Sequence, residues 1–294
     1  MAQILLTGAN GQLGWEVFRR VSATGHSLAA TARDQLDISD RASVQTVVHR
    51  LRPKVILNAA AYTAVDKAES DRDAAFAINA EGPGHLAEAA AEVGAAIIHI
   101  STDYVFDGSA PGAYAEDHPT APLGAYGESK RAGEEAVAAR TLRHAILRTA
   151  WVYGVHGHNF VKTMLRVGAE RDELRVVDDQ RGCPTFAGDL AEACLALSGR
   201  YLAGEEGYGV FHCAGSGETT WCGLARETFA LAAPRTGRSP VVHAITTADY
   251  PTPARRPANS VLDCSRLAAV HGIRMRDWRP ALADMLEETL AAAG

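Results

Sequence analysis

The sequence predicts an α/β fold: a doubly wound parallel sheet with a smaller, mainly C-terminal lobe. Three observations lead there. Short apolar runs alternate with longer amphipathic stretches through the first half of the chain, a glycine-rich turn joins the first run to the first amphipathic stretch, and the alternation weakens beyond Trp151. Strands separated by helices of this length must pair in parallel through right-handed crossovers.

Residues 3–7 read as the first strand, followed by a helical pattern through Leu13, Val17 and Val21. Leu28–Thr31 is a second strand. Residues 40–51 carry helical spacing at Val44, Val47, Val48 and Leu51, with Asp37, Ser39 and Asp40 as candidate caps. Pro53 stops that helix, and Val55–Asn58 is a third strand. An alanine-rich helix covers Gly82–Val93, residues 95–101 form a fourth strand, Ala125–Arg140 a helix and 145–149 a fifth strand. Further helical stretches at 159–170, 189–198, 222–233 and 277–293 are separated by loops rich in glycine and proline. The division is drawn at 1–154 and 155–294, with a strand or two of the later part returning to the first sheet. Residues 250–258 hold three prolines, which fix φ and remove donors, so no regular element is expected there.

The 294 residues are 47% hydrophobic and 22% charged, with 29 basic against 35 acidic side chains and a net charge of −6. That is ordinary globular usage, without the basic field that would draw nucleic acid or an anionic membrane. No apolar run reaches the ~18–20 residues of a membrane span, and the N-terminus does not read as a signal peptide. Five cysteines without a Cys-x-x-Cys pair predict neither a disulfide framework nor a zinc site. A soluble cytoplasmic protein is expected.

Gly8, Gly11 and Gly14 follow directly on the first strand and open the first helix. This is where a dinucleotide pyrophosphate would meet free N–H groups and the positive end of a helix dipole. About 20 residues on, an acidic residue would bind an adenosine ribose diol; here Ala32 is followed by Arg33, whose guanidinium suits a 2′-phosphate. NADPH is therefore expected over NADH. Tyr126 and Lys130 lie four apart on one helical face, where an ammonium should draw the phenol's pKa from ~10 towards the working range. Thr102, at the carboxyl end of the fourth strand, could hydrogen-bond an oxygen that gains charge as hydride arrives.

The Thr-Gly-x-x-Gly-x-x-Gly loop with Tyr-x-x-x-Lys resembles the extended short-chain dehydrogenases/reductases, and hence a Rossmann-type sheet. Over essentially its full length the chain resembles the dTDP-4-dehydrorhamnose reductase family. The matching stretches are Gly11-Gln-Leu-Gly-Trp-Glu16, Asn58-Ala-Ala-Ala-Tyr-Thr-Ala-Val-Asp-Lys-Ala-Glu69, Ser101-Thr-Asp-Tyr-Val-Phe106, Tyr126-Gly-Glu-Ser-Lys130 and Arg148-Thr-Ala-Trp-Val-Tyr153. Beyond them come Asn159-Phe-Val-Lys-Thr-Met164, Asp179-Gln-Arg-Gly-Cys-Pro-Thr185 and Tyr250-Pro-Thr-Pro-Ala-Arg-Arg-Pro257.

The resemblance implies NADPH-dependent reduction of a sugar-nucleotide C4 ketone, with Tyr126 as proton donor, Lys130 its partner and Thr102 beside them. It implies cofactor contacts from Gly8, Gly11, Gln12, Leu13, Gly14, Arg33, Asp37, Ile38, Ala59, Ala60, Ala61, Tyr62 and Thr63, besides Tyr126 and Lys130. Thr102, Asp103 and Trp151 would hold the hexose, and Asn159, Arg255 and Arg256 the nucleotide diphosphate. Some family members dimerise through a magnesium held by glutamates. Glu16 matches one ligand, but Gly188 stands where another glutamate should, and one carboxylate does not make a site for a hard cation. No metal is expected, and the chain is read as a monomer or homodimer. A nucleotide-sugar epimerase or dehydratase, and a non-catalytic homologue such as a methionine adenosyltransferase regulatory subunit, remain the alternatives.

Overall fold

A computed structural model describes residues 2–291. Its main sheet contains β1 (Ile4–Thr7), β2 (Leu28–Thr31), β3 (Val55–Asn58), β4 (Ala96–Thr102), β5 (His144–Thr149) and a sixth strand, Gly209–His212. All pair in parallel, in the spatial order sixth strand, β5, β4, β3, β1, β2. Both faces are covered, so the strands are nearly continuous apolar runs. Ile4, Leu6, Val55, Leu57 and Ile98 face the helices Gln12–Arg20 and Ala187–Leu202. Leu5, Ile56, Ile97 and Ile146 face the helices Arg41–Leu51, Gly82–Val93 and Ala125–Arg140. The chain reverses its winding direction between β1 and β3. A crevice therefore opens at their carboxyl ends.

Local chemistry sets the boundaries. Asp40 is the cap of Arg41–Leu51, its carboxylate accepting from the Ala42 and Ser43 N–H groups at 2.9 and 3.3 Å. The fourth strand begins one residue later than the pattern suggests, because the Ala95 N–H bonds back to the Ala90 carbonyl at 2.8 Å. Its last residue is consequently Thr102.

Two later segments return to the sheet: the sixth strand, beside β5, and Ala187–Leu202, which is longer than the expected 189–198 and packs on Gln12–Arg20. Around Phe160–Glu170, Trp221–Thr236 and Trp278–Ala291 the remaining chain builds separate apolar clusters. Residues 292–293, included in the expected last helix, lie outside the described residues. The parallel pair Glu173–Val177 with Val241–Ile245 is a feature the loop reading passed over, as are the short helical turns Val65–Ala68 and Arg72–Phe76. Residues 250–258 form no regular element beyond the turn ending at Asp249. Among the described residues no helix is long and apolar enough to cross a membrane.

Candidate active site

The glycine turn has the form that a close-lying phosphate chain requires. Gly8 sits at φ +74°, where a Cβ would fall 2.6 Å from the Ala60 nitrogen, and a Cβ on Gly14 would run into the Gly8 carbonyl. Gly11 caps Gln12–Arg20 without a side chain, and no carboxylate lies in the first turn, so those N–H groups are left for an anion. Beside the turn opens a cavity of about 250 Å³. Among the expected cofactor residues, Gly8, Gly11, Arg33, Asp37, Ile38, Ala59, Ala60 and Ala61 line it. No acidic side chain stands at the end of β2. Arg33 extends over the rim, its Nε 3.3 Å from Asp37, and Asp37 is held low chiefly by the Ser39 hydroxyl.

The rest of the expected cofactor set lies apart from this cavity. Leu13 is buried in the core, and Gly14 backs the turn. Gln12 accepts from the Asn159 amide at 3.0 Å, and Thr63 is exposed. Tyr62 is fixed by Asn79, which accepts from its N–H at 2.8 Å and donates to its carbonyl at 3.0 Å. Its ring packs with that of Tyr126 on Ala68, Ala75 and Ala125.

Tyr126 lies in the first turn of Ala125–Arg140, where the Ala125 N–H donates to Glu69 at 2.9 Å. Lys130 is almost fully buried, and its Nζ donates to the Ile100 carbonyl at 2.6 Å. Burial lowers the Lys130 pKa to about 8, with Glu134 opposing. Tyr126 corrects one expectation. Burial dominates and pushes its pKa up, while the Thr102 hydroxyl pulls the other way. The ammonium is spent on Ile100 rather than on the phenol. A phenol that stays protonated at neutral pH is the state a proton donor needs.

Thr102 ends β4 and donates to Asp103 at 2.9 Å, while its oxygen accepts from the Tyr104 N–H at 3.2 Å. Asp103, expected on the hexose, is instead only 2% exposed, with Oδ2 lacking a hydrogen bond of normal geometry. Burial raises its pKa to about 6, with Ser260 and Thr102 opposing. The folded-state value exceeds the unfolded one. Its contribution is therefore full below about pH 4 and is lost as pH rises through about 6. Asp103→Asn should remove that loss, gaining about 2–3 kcal/mol on wild type between about pH 4 and about pH 7.5. Urea unfolding of both proteins at the two pH values checks this.

A second cavity, of about 450 Å³, includes Tyr104, Phe160, Arg175, Gln180, Trp221 and Arg256 in its lining. Tyr104, in its wall, meets the ring of Tyr126 edge-on at 5.5 Å. Arg256 donates to the Tyr104 hydroxyl at 3.0 Å and to Asp66 at 2.7 Å. Arg255 is exposed and lines a small crevice that Tyr104 and Tyr126 also line. Trp151 takes a left-handed φ of +48° and stacks on Trp221 at 3.6 Å. That backbone state costs a non-glycine residue about 1–2 kcal/mol. Asn159 departs from its expected place on a diphosphate. It caps Phe160–Glu170 and spends both amide hydrogens on Gln12 and Gly154. Trp221 and Arg175 escape sequence reasoning, since nothing local distinguishes them from core or surface residues, and Gln180 lies in the matching stretch 179–185 without having been singled out.

Glu16 is buried and accepts from Arg19 at 2.7 Å and from Arg20. A side chain at Gly188 would run into the Phe186 ring and the Arg20 guanidinium. The carboxylate considered for magnesium is thus neutralised by two arginines.

Comparison with known proteins agrees with this geometry. Residues 1–291 match the family model described as the RmlD substrate binding domain. The dTDP-4-dehydrorhamnose reductase of Sinorhizobium fredii is 45% identical over 94% of both chains. That of Streptomyces griseus is 46% identical over 99% of this chain and 95% of its own. The Bacillus anthracis dTDP-4-dehydrorhamnose reductase, solved in complex with NADP, superposes with a TM-score of 0.92 at 38% identity, over 98% of this chain and all of the other. The chain belongs to the dTDP-4-dehydrorhamnose reductase family, on the Rossmann-type scaffold of the extended short-chain dehydrogenases/reductases.

Proposed function

We propose that this protein uses NADPH to reduce the C4 ketone of dTDP-4-dehydro-L-rhamnose to dTDP-L-rhamnose. The observation that carries this reading is the place of the Tyr126 phenol, which bonds with the Thr102 hydroxyl at the end of β4 and whose ring meets, edge-on, that of Tyr104 in the wall of the second cavity. The glycine turn, the uncapped helix N-terminus and Arg33 fit a dinucleotide carrying a 2′-phosphate. When bound, the cofactor supplies a hydride. The protein orients the ketone and gives a proton to its oxygen.

In that division of labour Tyr126 hands its proton to the oxygen as charge develops there. The Thr102 hydroxyl beside it donates to Asp103 at rest and stabilises the same oxygen by turning its one proton from Asp103 to the substrate. Lys130, still mostly an ammonium at neutral pH, offers positive charge to the phenolate left behind. Arg256 supplies the cationic wall of the second cavity, where the nucleotide diphosphate is read to lie, and Trp221 and Trp151 an apolar face. Residues 1–154, with the segments that return to the sheet, form the cofactor lobe in this reading, and most of 155–294 the sugar-nucleotide lobe.

The test is NADPH oxidation by the purified protein on adding the keto-sugar nucleotide. Consumption with formation of the 4-hydroxy sugar supports the reading; binding without consumption refutes it. Repeating the assay with the uridine analogue reads the base preference. Arg33→Ala should raise KM for NADPH about tenfold or more, as expected for a lost charge-assisted phosphate contact, and leave KM for NADH nearly unchanged. Steady-state kinetics with the two cofactors checks it.

A further inference from the structure

Lys130 has a buried neighbour to which the reaction as read above gives no role. His99 lies on β4, fully buried, with its Nε2 3.5 Å from the Lys130 Nζ. On the other side of the ring, Nδ1 is 3.0 Å from the Asn58 Nδ2. The Asn58 amide cannot be turned over. Its Oδ1 accepts from the Ala60 backbone N–H at 3.2 Å and from the Thr7 hydroxyl at 2.7 Å. A backbone N–H can only donate, so the oxygen must face Ala60 and the NH2 must face His99. Nδ1 is therefore the acceptor. Burial and the Lys130 charge keep the ring neutral, and its single proton sits on Nε2, aimed at Lys130.

We propose that His99, locked in this tautomer by Asn58, is a positioning residue that sets the pH at which Lys130 loses its proton. While Lys130 is an ammonium, two donors face each other across 3.5 Å and no hydrogen bond forms. Once the lysine is neutral, its lone pair accepts from Nε2–H. The contact thus favours the amine and adds to the effect of burial. Of the other ionisable groups, Glu134, one helical turn later and paired with Arg148 at 2.7 Å, favours the ammonium, and the Tyr126 phenol stands one turn earlier on the same helix. The arrangement joins the site to the cavity wall, because Asn58 holds Ala60 and Ala60 lines the cavity beside the glycine turn.

The inference rests on the reductase reading, and its test separates the two. In Asn58→Asp the carboxylate still accepts from Ala60 and Thr7 but also accepts from the imidazole, so the proton moves to Nδ1 and a lone pair faces the ammonium. The alkaline limb of the kcat profile should then move up by about one pH unit. The shift should be lost in Asn58→Asp combined with His99→Leu. A shift of equal size in the double variant would assign the effect to the new charge alone and overturn the proposal. Nitrogen NMR of the wild-type imidazole gives an answer that depends on no variant folding. The Nε2–H form is expected at neutral pH, and the Nδ1–H form overturns the proposal. Tyr126→Phe, run alongside, tests the reductase reading itself. Turnover lost there with an unmoved limb in Asn58→Asp counts against His99 alone.

Discussion

Tyr126→Phe is expected to lower kcat for ketone reduction by about 10²–10⁴-fold, the usual share of a positioned general acid. NADPH binding should change little. Thr102 bonds the phenol and Tyr104 packs against its ring, and phenylalanine keeps the ring contact with Tyr104 while removing the proton. Single-turnover measurement of cofactor oxidation, with a separate NADPH titration by fluorescence, checks both halves. A variant that retains more than about a tenth of wild-type turnover would move the proton donor elsewhere. The pH dependence sharpens the point. Burial raises the Tyr126 pKa while Lys130 loses its charge at about 8. In wild type the fall in kcat above that pH should therefore follow the amine and not the phenol.

Arg148→Met is expected to be the most destabilising of the proposed substitutions, costing about 3–5 kcal/mol. Arg148 on β5 and Glu134 on the helix Ala125–Arg140 are both about 5% exposed. The guanidinium grips the carboxylate through Nε at 2.9 Å and Nη2 at 2.7 Å. It also donates to the Glu116 carbonyl at 3.2 Å and lies 5.1 Å from the centre of the Phe106 ring. Without it, Glu134 would be a buried carboxylate held only by the Ser101 hydroxyl, at 2.5 Å. Replacing both partners together, as Glu134→Leu with Arg148→Met, should cost less than Arg148→Met alone, because no charge is then stranded. Urea midpoints of the two variants and wild type decide it. Glu134 also steadies the Lys130 charge, so Arg148→Met should disturb catalysis as well as folding.

The first half of the fold was legible because its inner strands are buried on both faces and its long helices on one. Those elements, from Ile4–Thr7 to His144–Thr149, therefore carry an apolar run or a helical repeat, while the turns Val65–Ala68 and Arg72–Phe76 are too short for either. In the second half the helices Phe160–Glu170, Ala187–Leu202, Trp221–Thr236 and Trp278–Ala291 were legible, but the strands were not, since pairs such as Arg181–Gly182 with Thr219–Thr220 and Asn259–Ser260 are two residues long. Two residues have no periodicity to detect. Glu173–Val177 does alternate between exposed and buried positions, but its partner Val241–Ile245 lies far along the chain, and neither segment alone distinguishes a strand from a loop. At the site, glycine spacing pointed to residues that line the cavity beside the first turn, and Tyr-x-x-x-Lys to two buried side chains on one helix. Helical spacing places Lys130 beside Tyr126 but does not show that its ammonium turns to Ile100. Nor could the chain order show that Asn159 would be taken up by Gln12, or that Trp221 would lie flat on Trp151.

The position of Gly209–His212 beside β5 has a consequence for biosynthesis. β5 is complete at Thr149, yet the segment that hydrogen-bonds its outer side ends at His212, some sixty residues later. A ribosome adding ~5–20 residues per second leaves that side without a partner for roughly 3–13 s. During that interval the nascent chain presents a flat, apolar strand margin of the kind that other chains can pair with. Translation arrested in this window should thus yield aggregates, which a holdase chaperone would suppress, whereas arrest after the margin has closed should not.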